Sequence, residues 1–267
     1  ICFFSREMYE ETKDNFLYAN YLTNSISNNE LSIHYQPIFN LKDCTEIVGL
    51  EALLRWTNAT LGNVPPAVFI PLAEKSGQIV SIGEWVLDRV CKQIKFWEMK
   101  GYQIIPISVN ISVKQLEQIG FSSKVISILN NYNIDSNVIE LEITESVSSG
   151  DITTIVDNLK DLKTFGMTIS MDDFGTGFSS LGKLDFFELD KIKIDKFFID
   201  DIVQVNKKQK LLESIVSLGN SLELTIVAEG IETREQLSYL NTLDCQLGQG
   251  FLVSKPLPPG EAEIFLK

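Results

Sequence analysis

Eight short apolar runs, separated by stretches of a different period, constrain this chain more than any other feature. They lie at 31–38, 47–56, 104–111, 138–144, 167–172, 191–195, 224–229 and 245–252. Runs of this length, rich in Ile, Val and Leu and bounded by turn residues, are predicted to be strands. Between most of them the apolar spacing becomes that of amphipathic helices, over Ile82–Lys100, Phe121–Tyr132, Ile152–Phe165 and Lys208–Leu222, with Gly101 and Gly166 among the breakers. Repeated strand–helix alternation predicts an α/β fold, a TIM-like (β/α)8 barrel with its helices outside. One link breaks the rule. Asn40–Glu46 is shorter than the dozen or so residues that a crossover between parallel neighbours needs. The first strand is therefore predicted to run antiparallel to the second. The segment Asn58–Pro66, with Gly62, Pro65 and Pro66, reads as a loop before the next helix.

A chain of 267 residues suits one such barrel. Residues 1–28 read as a lead-in, with Met8, Phe16, Ala19, Leu22 and Ile26 as a helical stripe and Asn28-Asn29 as its stop. A helix capping the domain and a connector from an upstream domain both fit that stripe. Residues 29–267 then form the barrel domain. A net charge of −13, from 36 acids against 23 bases, opposes any grip on polymeric nucleic acid. A small phosphate-bearing ligand remains open if metal ions and a few local cations offset the repulsion. Cys2, Cys44, Cys91 and Cys245 are scattered, which suggests reduced thiols and a cytoplasmic setting. The single histidine, His34, removes histidine-rich metal sites and leaves little room for a Ser-His-Asp triad. No apolar stretch approaches the ~20 residues of a membrane span. With no signal peptide ahead of Ile1, the chain is expected to be an excerpt of a longer polypeptide, in which any membrane tether would lie elsewhere.

Barrel chemistry gathers where the strands end. The second predicted strand carries Glu51 and Arg55, on one face by their even spacing. The third offers Asn110, and the fourth Glu142 with Glu145 just beyond. The fifth ends in Asp172 and Asp173, followed by the glycine-hinged Gly175-Thr176-Gly177. The sixth brings Lys193 and Asp195, the seventh Glu229, and the eighth Gln249 before Gly250. Together these make a ring of oxygen donors with one lysine and one arginine. So many carboxylates in one mouth repel each other unless cations neutralise them. Oxygen-only ligation favours Mg²⁺ or Mn²⁺ over zinc, and adjacent aspartates suit two metals with one bridging carboxylate. Two-metal phosphoryl displacement is one outcome. A carboxylate glycosidase is another.

The residues then become familiar. Gly49-Leu50-Glu51-Ala52-Leu53-Leu54-Arg55-Trp56 resembles the EAL family of cyclic di-GMP phosphodiesterases, as do Tyr35-Gln36-Pro37-Ile38, Ser108-Val109-Asn110-Ile111-Ser112 and Glu140 through Ser146. So do Asp172 through Gly177, Lys193-Ile194-Asp195, Val227 through Thr233, and Gln249-Gly250-Phe251-Leu252. The resemblance implies hydrolysis of cyclic di-GMP to linear pGpG with Mg²⁺ or Mn²⁺. By analogy Glu51, Asn110, Glu142 and Asp172 would hold one ion, and Asp172 would bridge to a second, also held by Asp173 and Glu229. Lys193 would position the attacking water and Arg55 would contact a phosphate. Glu145 would support the loop 172–181, which in the family also reaches toward a homodimer partner. Gln36, Leu54, Asp195 and Gln249 would be further substrate contacts. An upstream GGDEF or sensor domain is implied as well. The alternative is a catalytically idle cyclic di-GMP receptor, as in family members that have lost catalytic carboxylates. This sequence keeps the full set.

Overall fold

The computed structural model describes residues 17–144, 152–175, 187–200, 202 and 207–266. Among these, one sheet contains β1 (Leu31–Asn40), β2 (Ile47–Asn58), β3 (Gly62–Val64), β4 (Ile107–Ile111), β5 (Ile139–Thr144), β6 (Thr168–Phe174), β7 (Lys191–Ile194), β8 (Thr225–Ala228) and β9 (Leu247–Gln249). β1 pairs with β2 on one side and with β9 on the other, so eight of these strands close into a barrel. β3 lies outside the ring, folded back on the end of β2 as a hairpin. From β2 round to β9 every barrel pairing is parallel. β1 is antiparallel to both its neighbours.

The short link explains the reversal. Asn40 N–H donates to Glu46 O at 3.0 Å, and the Asp43 carboxylate accepts from Thr45 N–H at 3.0 Å. That compact turn returns the chain beside β1, where only antiparallel pairing is possible. The β3 hairpin occupies part of the segment read as loop, an unpredicted helix Pro66–Ser76 begins where that segment ends, and the following helix runs Ile79–Met99, three residues earlier than its predicted start. The helix over Pro66–Ser76 carries Pro66 in its first turn, where the missing N–H costs nothing, and Gly77 stops it with φ 76°.

Alternation sorts the side chains. In β5, Ile139, Leu141 and Ile143 face one way and Glu140 and Glu142 the other, yet all are buried. The apolar face packs against the outer helices and the polar face looks into the barrel. On the outside, Tyr35 of β1 meets Trp97 of the helix Ile79–Met99 edge to face, ring centroids 4.9 Å apart. Residues 17–23 are helical, and Gln78 Nε2 donates to Ala19 O at 3.3 Å.

β9 is short because its end is needed elsewhere. Ile231 N–H donates to Gln249 O at 3.0 Å, and Leu252 N–H donates to Ile231 O at 2.9 Å. This clasp brings Gly250 so close that a Cβ there would lie 2.1 Å from Ile231 O. Gly250→Ala is predicted to lower stability by about 3 kcal/mol, the upper end of ordinary overpacking because backbone must move. Thermal denaturation measures it; an unchanged midpoint would contradict the close contact.

Candidate active site

Lys193 stands on the inward face of β7 and is 1% exposed. Its Nζ lies 2.6 Å from Glu229 Oε1, 2.8 Å from Glu142 Oε2, 3.3 Å from Glu51 Oε2 and 3.6 Å from Asp172 Oδ1. These acids come from β2, from β5, from β6 and from the residue after β8. Two amides complete the ring. Asn110 Nδ2 donates to Glu51 Oε1 at 2.7 Å, and Gln249 Nε2 donates to Glu51 Oε2 at 2.6 Å and to Gln36 Oε1 at 3.0 Å. Gln36 Nε2 in turn donates to Ser254 O at 3.1 Å.

The carboxylates do not share one environment. Burial works against charge on Glu51, but Lys193, Gln249 and Asn110 together hold its pKa below the usual range. Glu142 is pushed well up, by burial first and then by Glu51. Burial, with Asp172 and Glu51 adding, raises Glu229 to about 8 even though Lys193 pulls the other way. Lys193 itself is driven well above the ordinary lysine value by Asp172, Glu142, Glu229 and Glu51, which outweigh its burial. It is therefore an ammonium at neutral pH.

Asp173 and Asp195 form a neighbouring pair. Asp173 has a left-handed backbone, φ 56°, at the irregularity where β6 slips register against β7. Its carboxyl hydrogen-bonds that of Asp195, and burial, Asp172 and Asp195 raise its pKa to about 6. Asp195 also caps the short helix Lys196–Ile199, accepting from Phe197 N–H at 2.8 Å. Arg55 is half-buried and donates from Nη1 to Leu54 O at 2.9 Å. Glu145 lies outside the described residues, as does 176–181 of the loop.

Two hollows meet at the ring. One, of about 420 Å³, holds Leu54, Arg55 and Asn110 in a largely apolar wall built by the helices Pro66–Ser76 and Ile79–Met99. The other, of about 270 Å³, is lined by Gln36, Gln249, Glu229, Lys196, Glu232 and Phe251. Glu51 and Asp172 line both. Lys196, Glu232 and Phe251 had not been singled out from the sequence. Lys196 pairs with Glu232 across the opening, and Glu232 stands only three residues beyond Glu229. A charged residue following so closely on a strand-end acid is the signal that could have found it.

The donor set suits divalent cations. Glu142 Oε1 and Gln249 Oε1 are buried with no hydrogen-bond partner, and four carboxylates share one ammonium. Among the described residues no three ligating side chains already converge at metal-binding geometry, because these acids turn toward Lys193. Without added cations the raised groups set a sign for stability. Between 4.5 and about 8 native Glu229 binds more protons than the unfolded chain, so stability falls as pH rises through that window. Asp173 adds to the fall between 3.8 and about 6, whereas Glu51 acts oppositely and below its ordinary 4.5. In EDTA the denaturation midpoint is predicted to drop from about pH 5 to about pH 8, and saturating Mn²⁺ to flatten the drop. A midpoint that rises over this range in EDTA would contradict the assigned shifts.

A family model described as "EAL domain" matches residues 19–256. The chain is 40% identical to the oxygen sensor protein DosP of Escherichia coli, over 97% of this chain and 32% of the relative. It is 38% identical to the bifunctional diguanylate cyclase/cyclic di-GMP phosphodiesterase MucR of Pseudomonas aeruginosa, over 96% of this chain and 37% of the relative. Among solved structures, the MucR phosphodiesterase in complex with c-di-GMP superposes with a TM-score of 0.86 at 38% identity, covering 92% of this chain and 99% of that one. The chain thus spans about a third of the length of the curated relatives it matches.

Proposed function

The chain belongs to the EAL domain family, and from that premise we propose that the barrel mouth hydrolyses one phosphodiester bond of cyclic di-GMP, releasing linear pGpG, with the aid of Mg²⁺ or Mn²⁺. The observation that carries this reading is a buried ammonium facing four carboxylates from three strands and the end of a fourth, flanked by two hollows. A cyclic dinucleotide has two bases around a central phosphate ring. Two hollows that share Glu51 and Asp172 support a pose with one base in each and the phosphates over the carboxylates. The relatives named as cyclic di-GMP phosphodiesterases support the same substrate.

In this reading Glu51, Asn110, Glu142 and Asp172 hold one ion, and Asp172, Asp173 and Glu229 hold the other. Bound divalent cations supply Lewis acidity, lowering the pKa of a water nucleophile and stabilising charge on the phosphoryl oxygens. The protein does the rest. Lys193, kept cationic by its neighbours, orients the water and stabilises developing negative charge, because an ammonium with a raised pKa is a poor base. Arg55 receives a non-bridging phosphate oxygen. Gln36, Leu54, Asp195 and Gln249 fix the nucleotide, with Gln249 joining the substrate side to Glu51 through one amide. Glu145 supports the loop 172–181, and that loop region carries a homodimer contact. Residues 29–267 act as the catalytic domain, 1–28 as a lead-in from an upstream GGDEF or sensor domain, and the setting is cytoplasmic. No described helix is long and apolar enough to cross a membrane.

Incubation with cyclic di-GMP and Mg²⁺, Mn²⁺ or EDTA, with products separated by chromatography, tests the reading. We predict pGpG with either metal and none with EDTA. Tight binding without product under any metal would assign the domain as a receptor instead, and no binding would sink both. Lys193→Met is predicted to lower kcat by about a hundredfold at saturating metal, the usual loss of a preorganised charge stabiliser. Near-normal turnover of that variant would remove Lys193 from the mechanism.

A further inference from the structure

The alternation that turns Glu142 and Lys193 into the barrel also turns in the residues two places earlier, Glu140 and Lys191. Glu140 is 3% exposed, and Lys191 Nζ donates to its Oε2. β5 and β7 are not neighbours, since β6 lies between them. Both ion pairs therefore span the inner face of β6. Ser170, in register with Glu142 on one side and Lys191 on the other, gives them room with a small, fully buried side chain. The outcome is a ladder of two ionic rungs, about 6.6 Å apart at two strand residues' rise. The upper rung is part of the mouth. The lower rung lines neither hollow and has no task in the chemistry proposed above. Stability alone does not account for it, because Glu140 is buried while the Lys191 side chain is 22% exposed, and desolvation of the carboxylate offsets much of the attraction. Its charges sit on the same inner face, one rung below Glu142 and Lys193, close enough to act on the mouth through the barrel interior.

We propose that the Glu140–Lys191 pair is a positioning and charge-setting element of the active site. It pins β5 against β7 so that Lys193 meets Glu142, and its two opposite charges set the potential beneath the divalent-ion ligands. The inference rests on the metal-dependent reading above. If the pair acts through charge, its two members must pull metal affinity in opposite directions. A merely structural brace would weaken affinity whichever member is lost.

Calorimetric titration of the purified protein with Mn²⁺ separates the two. Glu140→Gln is predicted to weaken Mn²⁺ binding about tenfold and Lys191→Met to tighten it by about as much, well below the bare Coulomb figure for a unit charge at this distance because Lys191 is partly exposed and solvent and salt screen the pair. The double variant, neutral and without a stranded charge, returns toward wild type. Should Lys191→Met fail to fold, judged by circular dichroism, the comparison of Glu140→Gln with the double variant carries the test. Recovery of affinity in the double supports the proposal. Single variants that shift the same way, or not at all, or a double that stays as weak as Glu140→Gln, overturn it. Wild-type protein that binds no Mn²⁺ would overturn the metal-dependent reading itself, whereas wild-type binding without the predicted split overturns this inference alone.

Discussion

Lys193 brings one positive charge into the barrel and meets four carboxylates with it, and the rest of the mouth follows from that imbalance. A buried carboxylate without a partner is costly, so each acid either takes a share of the ammonium, takes amide donors, or keeps its proton. Glu51 is the case that holds its charge, with two amide donors and the lysine. Glu142 and Glu229 are the cases pushed up. A ring under this tension is chemically suited to dications, whose ligation would replace the shared neutralisation once the carboxylates turned from Lys193.

The barrel supplies what a loop-built site could not, which is fixed distance. Asn110 and Glu142 are opposite each other in the β4–β5 register, so the amide reaches Glu51 on one side while the glutamate reaches Lys193 on the other. The reversed β1 has its own consequence. Its antiparallel pairing places Gln36 opposite Glu51 and, by way of Ile38, sets β9 alongside, so that Gln249 can bridge the two. With an all-parallel first strand the pairing that lets Gln249 bridge Gln36 and Glu51 would be lost. Close backbone packing at Gly250 holds that bridge in place.

Much of this was legible in the residues. The eight barrel strands and the reversal of the first rested on period and on one short link, both of which are local signals, and the structure and its relatives bear them out. Strand ends were less legible. The run predicted from 104 begins its ladder only at Ile107, because Pro106 has no N–H to donate and offers only its carbonyl, to Leu50 N–H at 2.9 Å. The hairpin strand β3 is not legible because three residues beside Pro65 carry no alternation, and the helix Pro66–Ser76 is masked by its internal Pro71, a helix-breaking residue. The inward side chains could be counted from sequence, but which acid would hold its charge could not. That depends on where Asn110 and Gln249 place their donors across the barrel. Glu142 and Lys193 stand out at the strand ends; period 2 carries the same inward face down to Glu140 and Lys191, which lie below those ends.

If the acids now facing Lys193 are ligands of two divalent ions, as proposed, they must leave the lysine when the ions bind. Anomalous diffraction from crystals grown with Mn²⁺ tests it most directly. Two manganese peaks are expected at the barrel mouth, one among Glu51, Asn110, Glu142 and Asp172 and one among Asp172, Asp173 and Glu229, with those carboxylates turned from the lysine onto the ions. Manganese bound elsewhere, or a mouth in which Lys193 keeps all four carboxylates at saturating Mn²⁺, would contradict it.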